Sequence, residues 1–485
     1  MLVYERLLTG LRSYAAARLL TQLVSLAGTV YLIRTLDSHA FGLFGIAVVA
    51  FNYFSMIYDG TLTETLVQRY PATPLERRAV FSLMLALGAL TTVLMVMLAK
   101  PLALLVNEPE AAELIAVLAC GLMLTALTVM PHARLLSDMA FPRLAIISGV
   151  QALVTTAASI GLAYSGAGPW SLVLGMLIGL IVRVVALNVV APSVLLPTFA
   201  VREAYGYLRF GGILLADNIL WRWYVSLDTL LLGRWAGTAA LGYYNVAQQV
   251  AELPLEKIST IANDVALPAY TELSADRRAF TSLMIETMRT HAAVGFPIFW
   301  GIASVAAVAV PVLFGAKWDA SVFPLMALAA IAPLRLIGSV ETPAMTGLGR
   351  PDVLLRTKLI VAPCMTVALL AGVRFGGING AALAWLLAFP VCYAVAFRLV
   401  LRAAHVPYAD VLRVLRGPAI AAAAMAVVVC AWQAFASSLT PVALLASAIA
   451  VGALTYAVIL RLADPEAFQL VLNRIARLIG VRQAQ

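Results

Sequence analysis

The chain has 485 residues, 62% of them apolar and only 12% charged, with a mean hydropathy of +0.95. Soluble domains average about 45–50% apolar and about 25% charged, so this composition leaves too little polar surface for a soluble enzyme, a nucleic-acid binder or a disordered chain. The net charge of +9 points instead to the side preference of basic loops in a membrane protein.

A helix that crosses a bilayer needs about 20 mainly apolar residues. Fourteen such segments follow one another, at 14–33, 41–60, 80–99, 111–130, 145–164, 169–191, 211–233, 240–262, 290–314, 322–340, 355–373, 378–401, 417–435 and 440–460. The first follows MLVYERLLTGLRS, which lacks the short apolar core and cleavage site of a secretory leader and predicts a retained span. The seventh and eighth are the most polar, with Asp217, Arg222 and Asp228 in one and Gln248, Gln249, Glu252 and Glu256 in the other. Turn signals such as SGAGP at 165–169 and FGGING at 375–380 close several segments. The longest internal connections are 192–210 and 263–289, and the external loops are too short to hold a folded domain. Cys120, Cys364, Cys392 and Cys430 all fall in apolar runs, form no CxxC pair and read as small core residues.

Basic residues in short loops set the orientation. With both termini inside, only Arg34, Lys100, Arg234, Lys317 and Arg374 face out, and Arg18, Arg183, Arg222 and Arg335 lie within spans. The other 24 of the 33 basic residues occupy internal loops, span ends and the termini. An odd number of spans would scramble this asymmetry. The sequence therefore predicts a multi-pass inner-membrane protein with cytoplasmic N- and C-termini.

The stretch LIRTLDSHAFGLFGIA from Leu32 echoes LGRWAGTAALGYYNVA from Leu232. Leu32, Arg34, Ala40, Gly42 and Ala47 meet Leu232, Arg234, Ala240, Gly242 and Ala247 at a constant offset of 200. Both copies begin inside, so the repeat is parallel, a relation found in transporters built from two bundles. The expected architecture is an all-α membrane protein of two six-helix lobes, 1–200 and 201–405, followed by two further helices and a cytoplasmic tail in 406–485.

The region from Asp228 resembles the WzxC-like polysaccharide flippases of the multidrug/oligosaccharidyl-lipid/polysaccharide exporter superfamily. The residues that carry the resemblance are Asp228, Gly233, Arg234, Leu241, Gly242, Tyr244, Ala247, Pro254, Pro268 and Tyr270. Further matches are Asp59-Gly60 before Leu66, Val67, Gln68 and Arg69, then Phe314, Gly315, Lys317 and Trp318, then Gly347, Gly349, Arg350 and Pro351, and finally Gly377, Gly380 and Ala381. The ordered set covers nearly the whole chain. It implies a transporter rather than an enzyme: two lobes in a V that alternate access and move an undecaprenyl-diphosphate-linked oligosaccharide between leaflets, for exopolysaccharide, capsule or O-antigen synthesis. A monomer is implied, beside a polymerase and glycosyltransferases of its pathway. A multidrug exporter of the same superfamily, or a membrane polymerase, is the alternative. Fourteen spans and Arg222 weigh against the exporter, and short external loops against the polymerase.

Such cargo needs a polar, cationic lining, because a diphosphate and unpaired hydroxyls are costly in hydrocarbon. Charges within spans cost about 2.5–3.5 kcal/mol at a helix centre and are functional candidates by default. Arg222 stands out, flanked by Trp221, Trp223 and Tyr224. At 100° per residue Asp217, Trp221, Tyr224 and Asp228 share one stripe, with Asn218 and Arg222 about 100–140° away. An interhelical Arg–Asp lock is the competing reading. Asn245, Gln249, Glu252 and Glu256 share a face of the eighth span, lining a cavity or, for Glu256, marking the cytoplasmic exit. Arg335 is expected in the cavity or as a helix cap. Asn52, Ser55 and Asp59 form a weaker stripe, and Arg183 and Asn188 lie near the end of the sixth span. The resemblance makes Arg18 a phosphate candidate, with snorkelling as its rival. Asp217 and Asp228 could titrate in an ion-coupled cycle. His39, His132, His291 and His405 show no ligand spacing, so no metal or cofactor is expected.

Overall fold

The computed structural model describes residues 24–57, 63, 66, 73–138, 140–198, 200, 219–220 and 222–479, the side chains of 141, 260–265, 267, 268 and 474–479 excepted. The described residues form a succession of helices without strands. They are α1 (24–35), α2 (Ser38–Met56), α3 (Pro74–Leu105), α4 (Ala111–Ser137), α5 (Phe141–Tyr164), α6 (Trp170–Val190), α7 (222–235), α8 (Thr238–Glu272), α9 (Arg277–Leu313), α10 (Val322–Gly338) and α11 (Glu341–Gly347). The helical stretch Pro351–Ala404 breaks at Gly377, whose φ of 54° and ψ of −134° suit glycine alone, giving α12 (351–376) and α13 (378–404). Then come α14 (Tyr408–Phe435), α15 (Pro441–Ala463) and α16 (Pro465–Ile479).

Ten helical stretches among the described residues are long and apolar enough to cross a membrane, Pro351–Ala404 counting once despite its break. The expected spans 14–33, 41–60 and 211–233 lie partly outside the described residues. Outward-facing side chains confirm the solvent these helices want. Met97, Leu104, Val367, Leu387, Val427 and Leu454 are 65–69% exposed, a surface suited to lipid and not to water.

Helix starts follow from local chemistry. Thr73 and Glu76 make a reciprocal capping box ahead of α3. Asp37 caps α2 through a 2.9 Å bond from the Ala40 amide, and Asp276 accepts from the Arg278 and Ala279 amides at the start of α9.

The chain forms two compact units, 1–242 and 243–485. In the first, α4 is the central helix, packed against α2, α3 and α6, with α5 against α6. The segment after α6 is tied to α3. Arg78 Nε donates to the Leu196 carbonyl at 3.0 Å, and the Thr198 amide donates to Ser82 Oγ at 2.7 Å. In the second unit α9 contacts α10, α14, α15 and α16. Its small side chains let α14 and α15 approach, and Ala293, Ala421, Ala422, Met425 and Ala448 share one core.

The echo at an offset of 200 residues has a physical counterpart. A Cβ on Gly242 would fall 1.7 Å from the Ser38 carbonyl oxygen, and one on Gly42 would fall 2.0 Å from that of Thr238. The four positions are two equivalent pairs. The starts of α2 and α8 therefore cross through the same residue of each repeat, and only glycine permits that approach.

Two expectations are corrected. The region 263–289 is not a loop: α8 and α9 continue through it, joined by the short 3-10 turn Leu273–Ala275. At 1.5 Å per residue the 37-residue α9 is about 55 Å long, well beyond a hydrocarbon core of about 30 Å. In addition, Cys364 and Cys392 are not isolated core residues. They form a disulfide across the α12–α13 hairpin, with Cα atoms 6.5 Å apart.

Candidate functional site

Two groups of polar side chains sit within the otherwise apolar helices, one in each unit. In the first unit Arg222 lies at the start of the described part of α7, half-buried. Tyr53 of α2 donates through its hydroxyl to the Arg222 carbonyl oxygen at 3.4 Å. Asp228, further along α7, is fully buried and accepts from the Thr229 amide at 2.7 Å. The Tyr53 phenol lies within electrostatic reach of both the Arg222 guanidinium and the Asp228 carboxylate. Tyr224 is half-buried on the same helix. A cation, an anion and a phenol are thus gathered where α2 meets α7. A carboxylate so deeply buried is tolerated only with compensating charge or hydrogen bonds.

Asn52, the neighbour of Tyr53, is also half-buried, and its backbone carbonyl accepts from the Ser55 hydroxyl at 3.3 Å. Asp217, Asn218, Trp221, Asp59 and Arg18 lie outside the described residues. The Asn188 amide donates to the Val184 carbonyl of its own helix at 2.9 Å and to the Leu127 carbonyl of α4 at 3.5 Å.

In the second unit Arg335 of α10 donates to Glu252 Oε1 of α8 at 3.0 Å. Gln248, one turn before Glu252, donates to the same oxygen at 3.2 Å. The Arg335 guanidinium also lies over the Trp385 ring of α13, 5.1 Å from its centre, a cation–π contact. Arg335 is thus held between a carboxylate and an indole. Both partners of the pair remain partly accessible, with side chains 15% and 24% exposed for Arg335 and Glu252. Gln249 and Glu256 are exposed.

Sequence reasoning missed Tyr53 and Gln248 of these groups, and one further buried carboxylate. Tyr53 was hidden by its neighbour Asn52, which carries the more polar label. Gln248 was passed over for Gln249, although Gln248–Glu252 is the i,i+4 pair. Glu341 of α11 is a buried carboxylate that accepts a hydrogen bond from the Tyr393 hydroxyl, and no charge pattern in its surroundings singles it out.

The arrangement has no nucleophile–base pair, and among the described residues no cluster of His, Cys, Asp or Glu could hold a metal ion. It offers charge-assisted hydrogen bonds and aromatic faces inside a membrane bundle, equipment suited to a membrane transporter.

Comparison with known proteins gives the family. The chain belongs to the family described as polysaccharide biosynthesis protein, whose model matches residues 31–323. It is 25% identical over 394 residues to the lipopolysaccharide biosynthesis protein WzxC of Escherichia coli K12, covering 80% of this chain and 79% of that one. It is 27% identical over 404 residues to the succinoglycan biosynthesis transport protein ExoT of Rhizobium meliloti 1021, covering 82% and 81%. In fold it matches the lipid II flippase MurJ in an inward closed conformation, with a TM-score of 0.77, 14% identity and coverage of 93% and 98%. That likeness is one of architecture alone.

Proposed function

We propose that this protein is a flippase that carries undecaprenyl-diphosphate-linked oligosaccharide repeat units across the bacterial inner membrane for assembly of an exopolysaccharide, capsule or O-antigen. The observation that carries the reading is the placement of ionic and hydrogen-bonding groups within apolar helices, Arg222, Asp228 and Tyr53 in one unit and Arg335, Glu252 and Gln248 in the other. The family, and relatives named for lipopolysaccharide biosynthesis and succinoglycan transport, support it.

The physical task is to move a diphosphate and a sugar through hydrocarbon while the isoprenoid tail stays in lipid. The planar donor fork of arginine suits the diphosphate. Aromatic rings such as Tyr224, with Trp221 and Asn218 nearby in sequence, suit the saccharide. In this reading Arg18, Asn52, Asp59, Asp217 and Gln249 complete the polar lining of a cationic cavity, and access to it alternates between the two membrane faces. Fourteen spans, cytoplasmic termini, lobes at 1–200 and 201–405, the helices of 406–485 as an added pair, and a monomer working beside a polymerase and glycosyltransferases belong to the same proposal. No enzymatic step is assigned to the chain.

Deleting the gene in its own host provides a cellular test. Undecaprenyl-diphosphate repeat units should accumulate on the inner leaflet and polymer at the cell surface should disappear, with both reversed by the intact chain. Normal surface polymer in the deletion strain, with no other flippase gene present, would contradict the proposal.

A further inference from the structure

The first four turns of α9, 277–291, carry Arg277, Arg278, Glu286 and Arg289 and are too polar for a hydrocarbon core. The apolar run that matches a hydrocarbon core occupies 292–313, so Arg277 stands about 20 Å outside it at 1.5 Å per residue. Along this projecting part runs an open groove of about 870 Å³, within the range of about 300–1,000 Å³ usual for ligand sites. Three separate segments wall it: α9, the turn at His405 after α13, and α16.

The chemistry of its wall is graded. At the membrane end Arg289 is already engaged, held by Glu466 and lying 3.9 Å from Asp464. That grip fixes α16 against α9, while Ala467 is buried and Phe468 and Val471 pack onto the shared core. Ile285 and Leu470 make the wall apolar there. At the outer end Arg277 and Arg278 are exposed, and neither side chain makes an ion pair among the described residues. Between the two ends lie Thr281, Ser282 and the carboxylate of Glu286, with His405 opposite. The amides at the start of α9 are capped by Asp276, so the positive charge of the groove comes from side chains and not from the helix terminus.

A groove built for phosphate alone would not place carboxylates in its wall, because like charge repels the anion. Hydroxyl-rich ligands, by contrast, use carboxylates, hydroxyls and imidazole as hydrogen-bond partners, and two arginines at the far end suit one acidic substituent. We propose that this groove binds an acidic saccharide, presented about 20 Å from the hydrocarbon edge, with Arg277 and Arg278 receiving its carboxylate. The inference rests on the flippase reading only for the saccharide's origin. In that reading the groove engages the sugar of the lipid-linked unit before transport and favours charged repeats over neutral ones.

The test uses the full purified chain in detergent and isothermal titration with trigalacturonate, maltotriose and inorganic pyrophosphate. Trigalacturonate should bind, maltotriose should bind at least about tenfold more weakly, and Arg277→Gln/Arg278→Gln should remove that preference while the unliganded Tm stays unchanged, a loss typical of charge-assisted contacts. A second arm asks where the saccharide comes from. If an undecaprenyl-linked acidic oligosaccharide in nanodiscs protects the thiol of the Ser282→Cys variant from labelling better than free trigalacturonate at equal concentration, the membrane-borne form is the ligand; the reverse order makes it a soluble one. Trigalacturonate binding that the double substitution leaves intact would overturn the proposal. So would arginine-dependent binding of pyrophosphate without binding of trigalacturonate. Failure of trigalacturonate to bind, with flipping of the native cargo intact, sinks only this inference, and intact binding without any flipping sinks only the transport reading.

Discussion

Arg222→Ala is expected to reduce surface polymer to background while the protein accumulates in the membrane at its normal level. The substitution removes the guanidinium from a site that also holds Tyr53 and the fully buried Asp228. A charge-assisted hydrogen bond contributes about 1.5–3 kcal/mol, and the low dielectric of the bundle strengthens it, so flipping should fall at least about tenfold to a hundredfold. Arg222→Lys keeps the charge but loses the planar fork, and should retain part of the activity. The interhelical-lock reading of Arg222 makes a different prediction: Arg222→Ala would lower the Tm, and adding Asp228→Asn would restore both Tm and export. Normal export by the Ala variant would remove Arg222 from the required site.

Arg335→Ala and Glu252→Ala should each be strongly damaging, and more so than the two together. Either change leaves one member of the pair without its partner inside the bundle, and breaking a buried pair costs about 3–5 kcal/mol. Because both side chains retain some access to solvent, a loss of about 2–3 kcal/mol is expected, within the range that unpaired charges produce. Arg335→Ala also strips the cation from the Trp385 ring. A thermal-unfolding cycle in detergent over the two single variants and the double variant measures the coupling. Coupling within error of zero would mean that the 3.0 Å contact contributes nothing to stability.

The positions of the helices were legible in the sequence because hydropathy reports what a segment does in a bilayer. It does not report where a helix ends. The stretch 263–289 looks like a loop because Asp264, Glu272, Asp276, Arg277, Arg278 and Arg289 make it polar, yet α8 and α9 run on through it. A helix needs its own hydrogen bonds and not lipid. The repeat was legible for a steric reason. Gly42 and Gly242 match because each must let a backbone carbonyl pass, and apolar matches elsewhere carry no such constraint.

The candidate site was half legible. Intramembrane charge marked Arg222, Asp228, Glu252 and Arg335 without alignment, since each is costly unless used. Which charges meet was not legible. The pairing of Glu252 with Arg335 depends on how α8 and α10 are rotated about their axes, and helical periodicity on one segment does not fix the rotation of another. The disulfide is similar. Cys364 and Cys392 are 28 residues apart and equidistant from residue 378, so they face each other only once Gly377 is known to be the apex of a hairpin.

The most direct test of the transport account is reconstitution. The purified chain, placed in liposomes with a fluorescent undecaprenyl-diphosphate oligosaccharide of its own pathway, should move the label between leaflets faster than empty vesicles do. Arg222→Ala protein should perform like empty vesicles, and an imposed pH gradient should reveal whether proton movement drives the step. No movement by correctly folded protein presented with its native cargo would contradict the account.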